Sequence, residues 1–97
     1  MKTYELAFIS SALKEWKKLG ATLKEQFKQK LSERLQNPHV PKDRLSGASN
    51  LYKIKLRSAG YRLVYQVNEN SITILVLSVG KRERSEVYKR ALEREGM

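Results

Sequence analysis

Apolar and polar residues alternate over residues 3–9, with Tyr4, Leu6 and Phe8 on one side, which is the period-two pattern of a half-buried strand. The period then changes. Over residues 12–19, Ala12, Leu13, Trp16 and Leu19 fall on one side of a helix and Lys14, Glu15, Lys17 and Lys18 on the other. Gly20 is placed to end that helix as a C-terminal cap. Thr22 and Glu25 have the spacing of a capping box, which opens a second helix with Leu23, Phe27, Leu31 and Leu35 as its buried stripe. Asn37-Pro38 closes it, because the residue before a proline avoids helical geometry. The prediction is an antiparallel helical hairpin with a very short connection.

Residues 39–50 contain Pro41, Ser46, Gly47 and Ser49 without periodicity and read as a loop. Strict alternation resumes at Tyr52, with Tyr52, Ile54 and Leu56 on one face and Lys53, Lys55 and Arg57 on the other. It is interrupted at Ala59-Gly60 and continues to Tyr65, the signature of a β-hairpin. A two-residue loop at Ala59-Gly60 pairs Arg57 with Arg62 and Lys55 with Val64, so Arg62 shares the face of the lysines. A three-residue loop would send it to the other face. Residues 72–77 are apolar on both parities, as in a central strand covered on both sides. Residues 82–95 read as a last helix with Val87, Leu92 and Ala91 turned inward. The order of elements predicts an α+β fold: one domain spanning residues 1–97, with a small, mostly antiparallel sheet, the N-terminal helical hairpin packed on one face and a C-terminal helix.

Charge changes this picture more than composition does. The chain has 97 residues, 20 Lys and Arg against 10 Asp and Glu, and a formal charge of +10. Between Lys42 and Val67 the cations are Lys42, Arg44, Lys53, Lys55, Arg57 and Arg62, and the acid is Asp43 alone. Like charges on neighbouring strands repel, so gathering them on one hairpin face points to a polyanionic visitor such as nucleic acid. With no cysteine there is neither a disulfide framework nor a thiolate metal site, which fits a reducing compartment. The N-terminus lacks the apolar run of a signal peptide, and no apolar stretch approaches membrane-spanning length, so a cytoplasmic protein with no membrane partner is expected.

The chemistry on offer is cationic and phenolic. Asp43 is the one aspartate, the glutamates are spaced along helices as solvated charges, and His39 sits in the loop as an ordinary exposed imidazole; no cofactor and no metal are expected. Lysine, arginine and tyrosine suffice for phosphoryl transfer if RNA supplies its own nucleophile, the ribose 2′-hydroxyl. Crowded cations favour the less positive form of a neighbouring lysine or tyrosine and so make it a better base, and the arginine fork fits phosphate oxygens.

Three stretches, residues 52–58, 60–67 and 79–88, closely resemble a RelE toxin of bacterial toxin-antitoxin systems, and Leu13-Lys14-Glu15-Trp16 and Leu19-Gly20 extend the likeness over nearly the whole chain. The resemblance implies a RelE-like, microbial-ribonuclease-like fold. It further implies a ribosome-dependent endoribonuclease that cuts messenger RNA in the decoding site by 2′-hydroxyl attack, and a RelB-like antitoxin that wraps the enzyme and disturbs its last helix, with the complex binding operator DNA through the antitoxin. Its functional residues fall on Lys53, Lys55, Arg62, Arg82 and Tyr88. Lys55 or Tyr88 is implied as general base, Arg82 as the group that protonates or neutralises the leaving oxygen, and Lys53 and Arg62 as the grip on the scissile phosphate. Arg44, Arg57, Lys81 and Arg84 are the neighbouring cations expected to contact RNA. Some relatives carry an arginine just before the loop glycine, where this chain has Ser46 before Gly47; the difference bears on one ribosomal RNA or phosphate contact. Two other readings remain: a toxin of the related ParE type that poisons DNA gyrase without cutting RNA, and a plain RNA-binding module.

Overall fold

The computed structural model describes residues 3–48, 50–81 and 86–95. Their elements are β1 (Glu5–Phe8), α1 (Ser10–Lys17), α2 (Ala21–Gln36), a single 3₁₀ turn (Pro41–Asp43), β2 (Leu51–Leu56), β3 (Tyr61–Asn68), β4 (Thr73–Lys81) and α3 (Glu86–Arg94). The strands form one sheet in the order β1-β4-β3-β2. The two hairpin pairings, β2 with β3 and β3 with β4, are antiparallel, and β1 joins the edge of β4 in parallel. The expected α+β architecture therefore forms, with the doubly apolar strand β4 in the interior of the sheet.

The helical hairpin begins differently from its capping pattern. Lys24 N–H donates to the Gly20 carbonyl at 3.1 Å, so the helix starts at Ala21 with Gly20 as N-cap in extended geometry (φ −68°, ψ 161°). Gly20 is thus the start of α2 and not a left-handed terminus of α1. Thr22 lies inside the first turn, where no side-chain cap forms, so the Thr22–Glu25 box is not made. Phe27 and Leu31 are buried as the stripe requires, and with Ala12, Leu19, Tyr52, Ile54, Leu63, Tyr65, Ile74 and Val76 they fill the core between the helical hairpin and one face of the sheet. Leu13 and Leu92, both expected inside, are exposed at 37% and 43%.

The other face is covered in part by α3. Val87 and Ala91 pack there on Leu45, Leu51, Val64 and Leu77 in a second, smaller core. A bulge makes this possible. Val64 pairs with Ser78 while Tyr65 pairs with Val76, leaving Leu77 as the extra residue, so Leu77 and Ser78 both serve the α3 side. The buried Ser78 hydroxyl donates to the Val87 carbonyl at 2.7 Å.

Arg34 ties α2 to the sheet from below. Its guanidinium meets Asp43 at 2.6 Å, donates to the Tyr65 hydroxyl at 2.9 Å and reaches the Lys53 carbonyl at 3.3 Å. The Tyr65 hydroxyl in turn donates to the Pro38 carbonyl at 2.8 Å, and burial holds its pKa above the usual phenol range against the pull of Arg34. Breaking such a part-buried pair on the arginine side orphans three acceptors at once. Arg34→Met is expected to lower unfolding free energy by about 2 kcal/mol in a urea titration, with Asp43→Asn costing less because the neutral contacts of Arg34 survive. Equal losses in the two variants would show that the ion pair alone matters.

Candidate active site

The hairpin turn is Arg57-Ser58-Ala59-Gly60, with Gly60 N–H donating to the Leu56 carbonyl at 2.9 Å and Gly60 at φ +71°, a conformation glycine adopts without strain. This corrects the two-residue loop. Lys55 pairs with Arg62, Leu56 with Tyr61 and Lys53 with Val64, a register displaced by two residues from the expected one. A shift of two preserves parity, so Lys53, Lys55 and Arg62 do share a face. Two rows cross it: Lys55, Arg62 and Gly80, and beside them Lys53, Val64 and Ser78.

Lys55 is thereby set directly opposite a guanidinium. Its pKa is lowered, first by the charge of Lys53, then by desolvation, then by Arg62 and Arg57, with Asp43 pulling weakly the other way. Arg62 is the more unexpected member, because it is only 7% exposed. Among the described residues its guanidinium makes one hydrogen bond, Nη1 to the Tyr61 carbonyl at 3.3 Å, and no ion pair. A largely buried cation with so little compensation is suited chemically to receive an anion.

Tyr88 reaches this face from the chain's other end. The first turn of α3 brings its ring to 5.8 Å from Lys53 Nζ, within cation–π range. The helix crosses β4 closely at Gly80, where a Cβ would lie 2.8 Å from Arg90 Nη2, the movable end of a long side chain, and at an ordinary contact distance of 3.6 Å from Val87 Cγ2. The structure thus brings together Lys53, Lys55, Arg62 and Tyr88. Arg57 stands at the exposed hairpin tip beside Lys55. Arg44 bridges to Tyr52 and Lys81 pairs with Tyr61, positions whose register belongs to the opposite face. Arg82 and Arg84 lie outside the described residues.

Along the outer edge of β2 runs a groove of about 510 Å³ lined by Lys30, Arg34, Lys42, Lys55 and Arg57, with Glu33 and Asp43 among them. Asp43 is neutralised by Arg34, so the groove continues the positive field from Lys55 toward α2.

Comparison with known proteins gives these side chains a family. The family described as ParE toxin of type II toxin-antitoxin system, parDE, matches residues 6–86. The mRNA interferase toxin RelE of Escherichia coli K12 is 56% identical over 91 residues, which cover 94% of this chain and 96% of that protein. The chain belongs to the RelE/ParE toxin family. Among solved structures, a free double arginine-to-alanine variant of E. coli RelE superposes with a TM-score of 0.88 at 53% identity, covering 95% of this chain and 97% of that one. RelE in the intact E. coli RelBE toxin-antitoxin complex gives a TM-score of 0.80 at 54% identity, over 84% and 99% of the two chains.

Two features of this RelE-family chain escaped the sequence pattern. His39 is not a free imidazole: Nδ1 lies 3.1 Å from the Tyr52 hydroxyl and Nε2 2.6 Å from Glu69 Oε1, and Glu69 also accepts from the Tyr4 hydroxyl at 2.9 Å. That cluster is well away from the lysines in the register of the hairpin, since Tyr52 faces the helical core. Glu15, which the helical period assigns to solvent, instead contacts β4 and α3. An acid set between Lys14 and Lys17 on a short surface helix carries no signal for such a contact; only the crossing of elements creates it.

Proposed function

We propose that this RelE-family toxin is a metal-independent, ribosome-dependent endoribonuclease that cleaves messenger RNA in the ribosomal decoding site. The observation that carries the reading is the assembly of Lys53, Lys55, Arg62 and Tyr88 on one sheet face, with Lys55 depressed by its cationic neighbours and Arg62 lacking a counter-ion among the described residues. It draws further support from the E. coli relative named mRNA interferase toxin RelE.

In this mechanism the 2′-hydroxyl oxygen of one nucleotide attacks the phosphorus of the phosphodiester on its 3′ side. The proton passes to Lys55 or Tyr88, the P–O5′ bond breaks, and the products are a 2′,3′-cyclic phosphate and a free 5′-hydroxyl. Lys53 and Arg62 hold the non-bridging oxygens and balance the charge that grows on them. Arg82 is assigned to protonate the departing 5′ oxygen or to neutralise its charge while water supplies the proton. Arg44, Arg57, Lys81 and Arg84 are the RNA-binding cations at the rim. Because the described residues of this face supply no efficient acid–base pair, the ribosome is assigned the task of presenting the RNA in line, and cleavage of naked RNA is expected to be slow.

A RelB-like antitoxin is the partner that neutralises the toxin, a role supported by the E. coli RelBE complex; the complex is assigned to operator DNA through the antitoxin. No helix among the described residues is long and apolar enough to cross a membrane, and the ribosomal substrate places the activity in the cytoplasm.

Primer extension on messenger RNA from translating ribosomes tests the reading. New 5′ ends within decoding-site codons are expected after induction. Growth arrest without such ends overturns it, and accumulation of gyrase-linked DNA breaks would instead support the ParE-type alternative, which the family description also covers.

A further inference from the structure

The helix that carries Tyr88 is nine residues long, too short to hold its place by helix propensity alone. What fixes it is therefore tertiary. Val87, Arg90, Ala91 and Arg94 recur at the spacing of one helical face, so two arginines share the buried stripe with two small apolar residues. That is an awkward stripe to lay on a sheet whose near end already presents Lys53, Lys55 and Arg62.

One carboxylate resolves it. Glu15 Oε1 accepts from Arg94 Nη1 at 3.0 Å and Oε2 from Arg94 Nη2 at 3.2 Å, a bidentate pair. Glu15 Oε2 also lies 3.1 Å from Arg90 Nε, close enough for charge attraction although the angle makes no hydrogen bond and leaves that nitrogen unsatisfied. The same Oε1 accepts from the Val79 amide at 3.1 Å. That amide lies on the edge of β4 beyond the reach of β1, whose pairing stops at Val76. Arg94 adds a bond to the Leu77 carbonyl at 2.8 Å on the same edge. Of four ion pairs among the described residues, two are made by Glu15, and both reach α3.

We propose that Glu15 is a positioning residue for the cleavage reaction: it clasps Arg90 and Arg94, sets the rotation of α3 on β4, and so keeps the Tyr88 ring beside Lys53. The C-terminal end of α3 is fixed by this clasp and the N-terminal end by Ser78 on the Val87 carbonyl. Tyr88 directly follows Val87, and a turn of the helix about its axis moves the phenol off the cationic face. Glu15 touches no reacting atom. The proposal rests on the placement of Tyr88 in the reaction made above.

A double-mutant cycle on the full-length toxin with programmed ribosomes tests it, using Glu15→Gln, Tyr88→Phe and both together. Glu15→Gln keeps an acceptor for Val79 and removes the charge. It is expected to lower kcat by about tenfold to a hundredfold with KM unchanged. Hydrogen exchange of the α3 amides should rise by roughly tenfold while the protection of β3 and β4 stays as it was. In the Tyr88→Phe background the second change should alter the rate by less than about twofold, because Glu15 acts through the phenol. Unchanged α3 exchange, or a full multiplicative loss in the double variant, overturns the clasp while leaving the nuclease reading intact. Full activity of Tyr88→Phe alone overturns the placement of Tyr88, and the coupling with it, whatever Glu15 does to the exchange of α3. If Glu15→Gln does not fold, Arg94→Gln runs the same cycle from the helix side with the same outcomes.

Discussion

Arg62→Ala is expected to reduce cleavage on the ribosome by about 10²–10³, or about 3–4 kcal/mol of transition-state stabilisation, and to leave the melting temperature unchanged or slightly raised. The two halves of this expectation have one cause. Arg62 is 7% exposed, stands opposite Lys55 in the ladder and holds a single 3.3 Å hydrogen bond to a neutral carbonyl. Removing it from the free protein takes away a poorly solvated charge and a like-charge neighbour, both of which oppose folding. In the proposed transition state the same guanidinium would meet the growing charge on phosphate, where low exposure strengthens the attraction and the fork fits two oxygens. Arg62→Lys should recover only part of the loss, since an ammonium cannot make the paired contact. Single-turnover cleavage alongside thermal melting decides the matter. A fall in melting temperature in step with the rate would make Arg62 a structural residue.

Cleavage should rise with pH along a limb lying below the ordinary lysine range, and Lys55→Ala should lower the neutral-pH rate by about 10²–10⁴ and abolish that limb. The direction follows from the charges around Lys55. Lys53, desolvation, Arg62 and Arg57 all disfavour its protonated form, so its pKa is lowered and more of the neutral amine is present at a given pH. Neutral amine is the form that accepts the 2′-hydroxyl proton; the rate therefore increases as pH climbs through the lowered value. Lys53 is the largest single cause. Lys53→Ala should accordingly return Lys55 toward its ordinary value and move the limb to higher pH, besides weakening the hold on phosphate. Should the limb survive in Lys55→Ala and vanish in Tyr88→Phe, the phenol is the base. Rate profiles of the three variants, each under single-turnover conditions, separate these outcomes.

Exposure is where the hairpin pattern misled. Alternation puts Arg62 on the polar face, and a polar face is ordinarily a wet one, yet α3 and the bulge at Leu77 bring a second core up to its edge. The same crowding places Val64 and Leu51, which share that face, at zero exposure. Local pattern reports the side of the sheet to which a residue points; it does not report what lies there. The capping pattern failed for a related reason. Thr22 and Glu25 have the right spacing, but the tight connection after α1 starts the helix at Ala21, two residues too early for the threonine to cap it. His39 was unreadable because its partner Glu69 lies 30 residues on in the chain.

By itself the sequence determined the kinds of element, their order and the concentration of cations on the β2–β3 hairpin, because strand and helix periods are local consequences of backbone geometry. It also determined the shared face of Lys53, Lys55 and Arg62, since both the expected loop and the four-residue loop are even, and parity survives an error of two in register. Tertiary structure alone decided which cation is buried, that Lys55 faces Arg62, that β4 bulges at Leu77, and that Tyr88 arrives beside Lys53. It also decided that Glu15 reaches Val79 and Arg94, 64 and 79 residues away. The physical reason is one of range. Side-chain direction follows from a residue's immediate neighbours, whereas burial and charge compensation depend on how distant elements cross, and no local period encodes that.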